Sequence, residues 1–158
     1  MCQHSGMLTW TEVAALLAPW RNYWVCTVSL DGSPHAAPVW GAVVDEVLWI
    51  FTEDGTVKAR NLTHDPRLTI HLESGDNVVI VRGTAEPLGR PGEHPGIVAA
   101  FAAKYAEDDD AQYLPAATDV RNVFYAVRPS NALVWLLEDF DTQRRWAAEP
   151  ATVSDPSS

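Results

Sequence analysis

The sequence predicts a mainly β protein, in which six or seven antiparallel strands form a small closed or partly closed barrel with two or three short helices. Short runs rich in β-branched and aromatic residues recur along the chain, and turn sequences such as Asp31-Gly32 separate them. In the run 67–73, Leu68, Ile70 and Leu72 alternate with polar residues, which is typical of a strand with one buried and one solvated face. These two patterns are the basis of the fold prediction.

The N-terminal third predicts one helix and then a meander of three strands. Thr9 and Glu12 have the spacing of a capping box, and apolar residues follow them at helical intervals. The extended runs cover 23–30, 35–44 and 47–52. Because only short turns separate these runs, we expect neighbouring strands to be antiparallel.

The rest of the chain predicts a short helix after Thr56, an amphipathic helix around 97–105 and further strands. Gly83 lies inside one of these strands, which indicates a bulge or a close approach of two backbones. A turn at 129–131 is expected to separate the predicted strand 123–127 from the predicted strand 132–137. The predicted strands cover 67–73, 78–86, 123–127, 132–137 and a short 141–147.

Length and charge limit the classes of function. The 158 residues are most simply one domain over 1–147, followed by a small polar tail over 148–158 that we expect to be disordered. A formal net charge of −10 argues against binding nucleic acid or an acidic membrane surface. Cys2 and Cys26 make neither a disulfide framework nor a metal-binding spacing. With no run long enough to span a membrane and no signal-peptide core, the expected location is the cytoplasm.

The start of the second helix carries an unusual charge pattern. Thr56 is a good N-cap, yet Lys58 and Arg60 lie in the first turn, where the helix dipole favours acidic side chains. Each cation there costs roughly 0.3–1 kcal/mol unless an anion offsets it. A phosphate group held by free amides, Thr56 and Lys58 would be such an anion. The alternative is a solvated basic turn paired with Glu53 and Asp54.

No catalytic or metal-binding arrangement stands out in the sequence. The five histidines are scattered, and His71 is more typical of a surface or packing residue than of a catalytic base. The acidic run 107–110 is typical of a solvated helix end, because consecutive loop residues offer no fixed ligand geometry. Seven tryptophans are many for this length, and several of them could stack on a planar heterocycle. We therefore predict no catalytic side chain and no metal site.

Several motifs carry a family resemblance over about residues 20–147. They are TVSLDGSPH at 27–35, PVW at 38–40, FTEDGTVKARNLTHDPR at 51–67, ESGD at 73–76, GTAE at 83–86 and RRW at 144–146. With these motifs the chain resembles the pyridoxamine 5'-phosphate oxidase-like, FMN-binding split-barrel superfamily. Within that superfamily it is most similar to the flavin/deazaflavin (coenzyme F-420) oxidoreductases.

The resemblance implies a split-barrel homodimer with two cofactors at the subunit interface. Lys58 matches the phosphate-binding lysine of the family, and Thr56 matches the small hydroxyl residue beside it. Trp135 and Arg145 match a tryptophan and an arginine that reach over from the other subunit. The implied cofactor-binding residues are Pro38, Val39, Trp40, Phe51, Thr52, Thr56, Lys58, Arg60, Asn61, Trp135 and Arg145.

Two departures from the family pattern bear on the choice of cofactor. Ala37 stands where the oxidases have a phosphate-binding arginine, and Val57 stands where a second basic residue is expected. The loss of two cations weakens the case for FMN and for a vitamin B6 phosphate substrate. A deazaflavin binds instead, or Arg60 and other residues compensate.

Three functions follow as hypotheses from this resemblance. The first is an oxidoreductase that moves a hydride between F-420 or FMN and a small conjugated substrate; no protein acid or base is obligatory, because the acceptor can take its proton from solvent. The second is a non-catalytic protein that binds or sequesters FMN or haem, in which case His35 or His71 gains interest. The third is a dimeric barrel with an empty groove.

Overall fold

The computed structural model describes residues 7–107, 109–139 and 143–150. Within them the chain is mainly β, with seven strands and three α-helices. The elements are α1 (Trp10–Leu17), β1 (Asn22–Val28), β2 (Pro34–Val44), β3 (Val47–Glu53), α2 (Val57–His64), β4 (Arg67–Leu72), β5 (Asn77–Pro87), α3 (Pro95–Lys104), β6 (Asn122–Leu136) and β7 (Arg144–Ala147). The predicted tail beyond 150, and Cys2 in the first six residues, lie outside the described residues.

Six antiparallel strands close into a barrel in the order β3-β2-β1-β4-β5-β6, because β3 also pairs with β6. Strand β6 makes this closure possible by its length. One edge of β6 pairs with β5, while the other edge pairs first with β3 over 122–126 and then with β7 over 131–134. The structure is thus a closed six-stranded barrel with one additional strand, which confirms the predicted fold class.

The glycine inside β5 has the role that its position predicts. The pairing of β5 with β6 changes register between Arg82 and Gly83, which is a bulge. A Cβ atom on Gly83 would lie 2.1 Å from the carbonyl oxygen of Arg128, so only glycine allows this approach. The bulge also accounts for one wrong prediction: residues 129–131 do not form a turn but continue β6, with Pro129 directly opposite Gly83. The missing amide of Pro129 falls where the ladder is already irregular.

The first two helices cover opposite ends of the barrel. The capping box of α1 is confirmed, since Glu12 N donates to the Thr9 hydroxyl and Thr9 N donates to the Glu12 carboxylate at 2.7 Å. Helix α1 lies at the β2–β3 turn, where the Trp10 indole donates to the carbonyl of Glu46 at 2.7 Å. Helix α2 follows the other end of β3. Val13 and Leu17 of α1 and Leu62 of α2 all belong to the barrel core.

A second core lies outside the barrel, beneath α3. Phe101 of α3 and Phe124 of β6 are both fully buried, and their rings stack at 5.7 Å. Phe51 of β3 meets Phe101 edge-on at 5.2 Å. Because this core packs against the ends of β2, β3 and β6, it fixes the outer wall of the site described next. Within the described residues, no helix combines the length and the apolar character that crossing a membrane requires.

Candidate functional site

A cavity of about 680 Å³ opens where β3 ends and α2 begins. Its volume is in the usual range for sites that bind small molecules and cofactors. One wall comes from β2, one from the end of β3 and the start of α2, and one from the segment that leads into β6. The lining residues are Asn22, Pro38, Val39, Trp40, Phe51, Thr52, Glu53, Thr56, Lys58, Gln112, Tyr113, Leu114, Asp119, Arg121 and Asn122.

The start of α2 is held to the end of β3 by two threonine hydroxyls. Thr56 is the N-cap, as its sequence position predicts, and its hydroxyl accepts from Ala59 N at 3.3 Å. The same hydroxyl donates to the Glu53 carbonyl at 3.0 Å and lies 3.0 Å from the Thr52 hydroxyl. Since the single Thr56 proton is directed to Glu53, Thr52 is the donor in the last pair. The two hydroxyls therefore fix the helix start relative to the strand.

Lys58 lines the cavity and has no hydrogen-bond or ion-pair partner among the described residues. Its side chain is half-buried. Partial burial lowers the pKa of Lys58, and the attraction of Glu53 opposes this shift. A desolvated cation that lacks a hydrogen-bonded counter-ion is unfavourable. An anion in the cavity would offset this cost.

The apolar wall of the cavity is rigid because its side chains are packed from behind. The Trp40 indole stacks on Tyr105 with ring centroids 4.7 Å apart and planes 17° apart. The Arg21 guanidinium lies 5.2 Å from the same indole. Phe51 is held edge-on by Phe101, as described above. With Pro38 and Val39, these two aromatic residues form a surface suited to a planar heterocycle.

Four of the sequence-predicted residues do not line this cavity. Arg60 turns back and donates to the carbonyl of Gly55, across the turn before α2. Asn61 is buried, and its amide donates to the Thr27 hydroxyl at 3.0 Å. Trp135 pairs opposite Val78, near the far end of β6, and Arg145 lies on β7. Their assignment to the cofactor, including the contribution of the last two from a second subunit, stays a prediction.

The segment before β6 supplies lining residues that sequence reasoning missed. Asp119 accepts from the backbone amides of Arg121 at 2.8 Å and Asn122 at 3.0 Å. Partial burial raises the pKa of Asp119, but hydrogen bonds from Asn122 and Arg121 outweigh it, so the net pKa is lowered. The Arg121 guanidinium pairs with Glu53 at 2.7 Å. The pattern Asp-x-Arg-Asn at a strand start, an acidic turn residue that binds the next amides, is the signal that could have indicated this polar rim.

A half-buried lysine supports the Trp40 wall from behind. Lys104 donates to the Tyr23 hydroxyl at 2.8 Å and to the Gly41 carbonyl at 2.7 Å. Its ammonium also lies 4.8 Å from the Tyr23 ring and 5.4 Å from the Tyr105 ring. Burial lowers the pKa of Lys104 to about 8. Lys104 therefore ties α3 to the strand that carries Trp40, at the cost of a partly desolvated charge.

The lowered pKa of Lys104 predicts a rise in stability with pH. Between about pH 8 and 10.5 the unfolded chain binds more protons at this lysine than the folded chain, so the free energy of unfolding increases as pH rises. Below about pH 8 both states are protonated and the cost is fully present. After allowance for solvent screening, we expect a gain of roughly 1–2 kcal/mol between pH 7 and 9.5. Urea denaturation at four pH values across this range measures it.

Lys104→Met and Lys104→Arg are the controls for this effect, because neither side chain titrates in that range. Both variants should lose most of the rise. An equal rise in the original chain and in both variants would assign the effect to other groups. Measurements should stay below pH 10, because burial raises the pKa of Tyr23 and ionisation of this tyrosine in the unfolded chain lowers stability above that pH.

Residues 9–133 match the sequence profile of the pyridoxamine 5'-phosphate oxidase family. The chain belongs to this family. Its fold is that of the PNPOx-like split barrels, as the motifs at 27–35 and 51–67 predict. No curated protein sequence matches the chain.

Solved structures agree with this assignment. The conserved hypothetical protein Rv2991 from Mycobacterium tuberculosis is 22% identical, with a TM-score of 0.71 over 97% of this chain and 99% of that one. A heme binding protein from Mycobacterium smegmatis is 20% identical, with a TM-score of 0.69 over 90% of this chain and 59% of that one. A protein described as F420 reductase is 25% identical, with a TM-score of 0.54 over 74% of this chain and 91% of that one. The solved structures that share this fold thus include one protein described as a reductase and one described as a heme binding protein.

Proposed function

We propose that the protein is an oxidoreductase that transfers a hydride between a bound deazaflavin (F-420) or FMN and a small conjugated substrate. The observation that carries this proposal is the cavity, which is lined by aromatic residues and by a half-buried lysine that has no partner among the described residues. A cofactor with a planar ring and a phosphate-bearing chain would complement both features: the ring would pack on the aromatic residues, and the phosphate would bind the lysine. Membership of the pyridoxamine 5'-phosphate oxidase family and the similarity to an F420 reductase support it.

The residues of the cavity fit such a cofactor. Trp40 and Phe51 offer a packed apolar surface for the ring, and Pro38 and Val39 line the same space. Lys58 and the free amides at the start of α2 would hold the phosphate. When bound, the cofactor supplies the hydride chemistry. The protein orients the ring, excludes water from it and leaves one side open to the acceptor.

We also propose that the protein acts as a homodimer. Trp24, Ile80 and Leu133 lie side by side on the outside of β1, β5 and β6, with His71 of β4 in the same row. None of these three apolar side chains belongs to either buried core. Pro38 continues the row and also lines the cavity. A second copy on this face would cover the apolar row and lie beside the cofactor, where its Trp135 and Arg145 could complete the site.

A second candidate function is the binding of haem or FMN without turnover. The Nδ1 atom of His35 is buried and has no hydrogen-bond partner among the described residues, which is unusual for a histidine. His71 is less available, since its Nδ1 lies 2.7 Å from the Leu72 carbonyl. His35 does not line the cavity, so we favour the oxidoreductase.

A visible spectrum and three titrations separate these proposals. Quenching of tryptophan fluorescence by FMN, by F-420 and by haem measures each affinity, because Trp40 lines the cavity. We expect tight binding of F-420 or FMN, followed by oxidation of the reduced cofactor when a quinone such as menadione is added. A Soret band that shifts on replacement of His35 would favour the haem protein. Binding of none of the three compounds would overturn both proposals.

Size-exclusion chromatography with light scattering tests the dimer. The expected mass is twice the 17.4 kDa of one chain. Trp24→Glu places a charge in the apolar row and should give a monomer, whereas the exposed Leu30→Glu, away from the row, should not. A monomeric original chain would contradict the proposal.

A further inference from the structure

The end of the cavity where Lys58 lies also contains a second cationic residue, Arg121, which already forms an ion pair with a protein carboxylate. Arg121 and Lys58 both line the cavity, and the carboxylate of Glu53 attracts the cationic groups of both. Glu53 pairs with Arg121 at 2.7 Å and attracts Lys58 without forming an ion pair with it. The structure therefore places a protein carboxylate at the end of the cavity where a ligand anion would bind.

The backbone of Arg121 is anchored by hydrogen bonds, while its side chain is largely exposed to solvent. Its amide donates to Asp119, and its carbonyl accepts from Asp54 N at 2.9 Å and from Arg90 at 3.1 Å. Its side chain is nevertheless 74% exposed. An exposed ion pair of this kind contributes little to stability. Replacement of Glu53 by a ligand anion as the partner of Arg121 therefore costs little free energy. An anchored backbone with an exposed guanidinium would let Arg121 exchange Glu53 for a phosphate group, which the fork of a guanidinium binds well.

The charges at this end of the cavity sum to zero. Lys58 and Arg121 contribute two positive charges, and Glu53 and Asp119 contribute two negative charges. Asp119 is committed to the amides of Arg121 and Asn122. Glu53 is the carboxylate that a ligand would have to displace. Its repulsion acts on each negative charge of the ligand, so Glu53 offsets about twice as much of the attraction of Lys58 and Arg121 for a dianion as for a monoanion.

We propose that Arg121 is a second anion-binding residue of the cofactor site and that Glu53 shifts the preference of this site away from doubly charged phosphate monoesters and toward singly charged phosphodiesters. In the ligand-free protein Glu53 holds Arg121; in the complex Arg121 binds the phosphate together with Lys58. This inference rests on the proposed function, since it assumes that the cofactor phosphate lies at this end of the cavity. Arg121, which lies just before β6, would then help to decide which class of cofactor binds.

The test separates the anion site from the ring site by using small phosphate esters. Methyl phosphate is mainly a dianion at pH 7.5, and dimethyl phosphate is a monoanion. Affinities of both are measured by phosphorus NMR titration of the full chain. Removal of one negative charge in Glu53→Gln should tighten dimethyl phosphate about threefold and methyl phosphate about tenfold, because the Coulomb energy doubles with ligand charge. By the same scaling, Arg121→Gln should weaken dimethyl phosphate about threefold and methyl phosphate about tenfold.

A matched ion pair elsewhere provides the control. Arg128 and Glu86 form an exposed pair at 2.6 Å outside the cavity, so Glu86→Gln and Arg128→Gln change the same net charges. They should leave both affinities within twofold. Thermal unfolding of all four variants should match the original chain, since both pairs are exposed.

The ester titrations can fail or succeed independently of the cofactor titrations. Equal effects of Glu53→Gln and Glu86→Gln, equal gains for the two esters, or no binding of either ester to any variant would overturn the inference even if F-420 or FMN binds. The expected ester pattern together with no binding of either cofactor would uphold the anion site and overturn the oxidoreductase proposal. Preference for F-420 over FMN that disappears in Glu53→Gln would support both.

Discussion

Phe124→Ala is expected to lower the free energy of unfolding by about 3–5 kcal/mol. Phe124 is fully buried between α3 and β6, and its ring packs on Phe101 and Phe51. Removal of the ring leaves a cavity that the surrounding strands cannot fill, because backbone pairing holds β2, β3 and β6 in position. Urea denaturation followed by circular dichroism measures this loss.

The control for this variant is Val120→Ala, a nearby position whose side chain is 78% exposed. It should change the free energy of unfolding by less than about 0.5 kcal/mol. Because Phe51 loses one of its packing partners, Phe124→Ala should also weaken binding of the cofactor ring. A loss of stability below about 1 kcal/mol would mean that the core beneath α3 does not stabilise the folded chain.

Lys58→Ala is expected to weaken binding of F-420 or FMN by about 1.5–3 kcal/mol, or roughly 10- to 150-fold. The reason is the loss of a charge-assisted hydrogen bond to the phosphate. Folding should be almost unchanged, since the Lys58 ammonium has no partner to lose among the described residues. Tryptophan quenching measures the affinity, and thermal unfolding checks the fold.

Two comparisons make this result specific to the phosphate. Riboflavin has the ring of FMN without the phosphate, so Lys58→Ala should leave its affinity within about twofold. Arg128→Ala removes a cation outside the cavity and should leave the affinity for FMN nearly unchanged. Equal affinity of Lys58→Ala and the original chain for FMN and F-420 would remove the phosphate assignment.

Local sequence signals predicted local structure well. The capping box at Thr9 and the N-cap at Thr56 are both formed, because each depends on residues within one helical turn. The role of Gly83 was also predictable, since a glycine inside an apolar strand typically marks a bulge or a close backbone approach. The prediction of a turn at 129–131 was wrong because it depends on a residue that is distant in sequence. Whether Pro129 ends a strand depends on the residue opposite it in the sheet, which is Gly83.

The charged residues at the candidate site likewise divide into those that local sequence identifies and those that only the tertiary structure identifies. Lys58 was identifiable because a cation in the first turn of a helix conflicts with the helix dipole. Arg121 was not, because it enters the cavity only through the pairing of β3 with β6. Arg60 lies two residues from Lys58 and yet turns away to the Gly55 carbonyl.

The sequence by itself determined the barrel class, the position of the helix that presents Lys58 and the family, because alternation, capping and motif spacing are properties of neighbouring residues. The tertiary structure alone decided that β6 is continuous and that Glu53 meets Arg121 at 2.7 Å. Closure of the barrel brings these distant segments together, and no local pattern encodes which side chains then share one cavity.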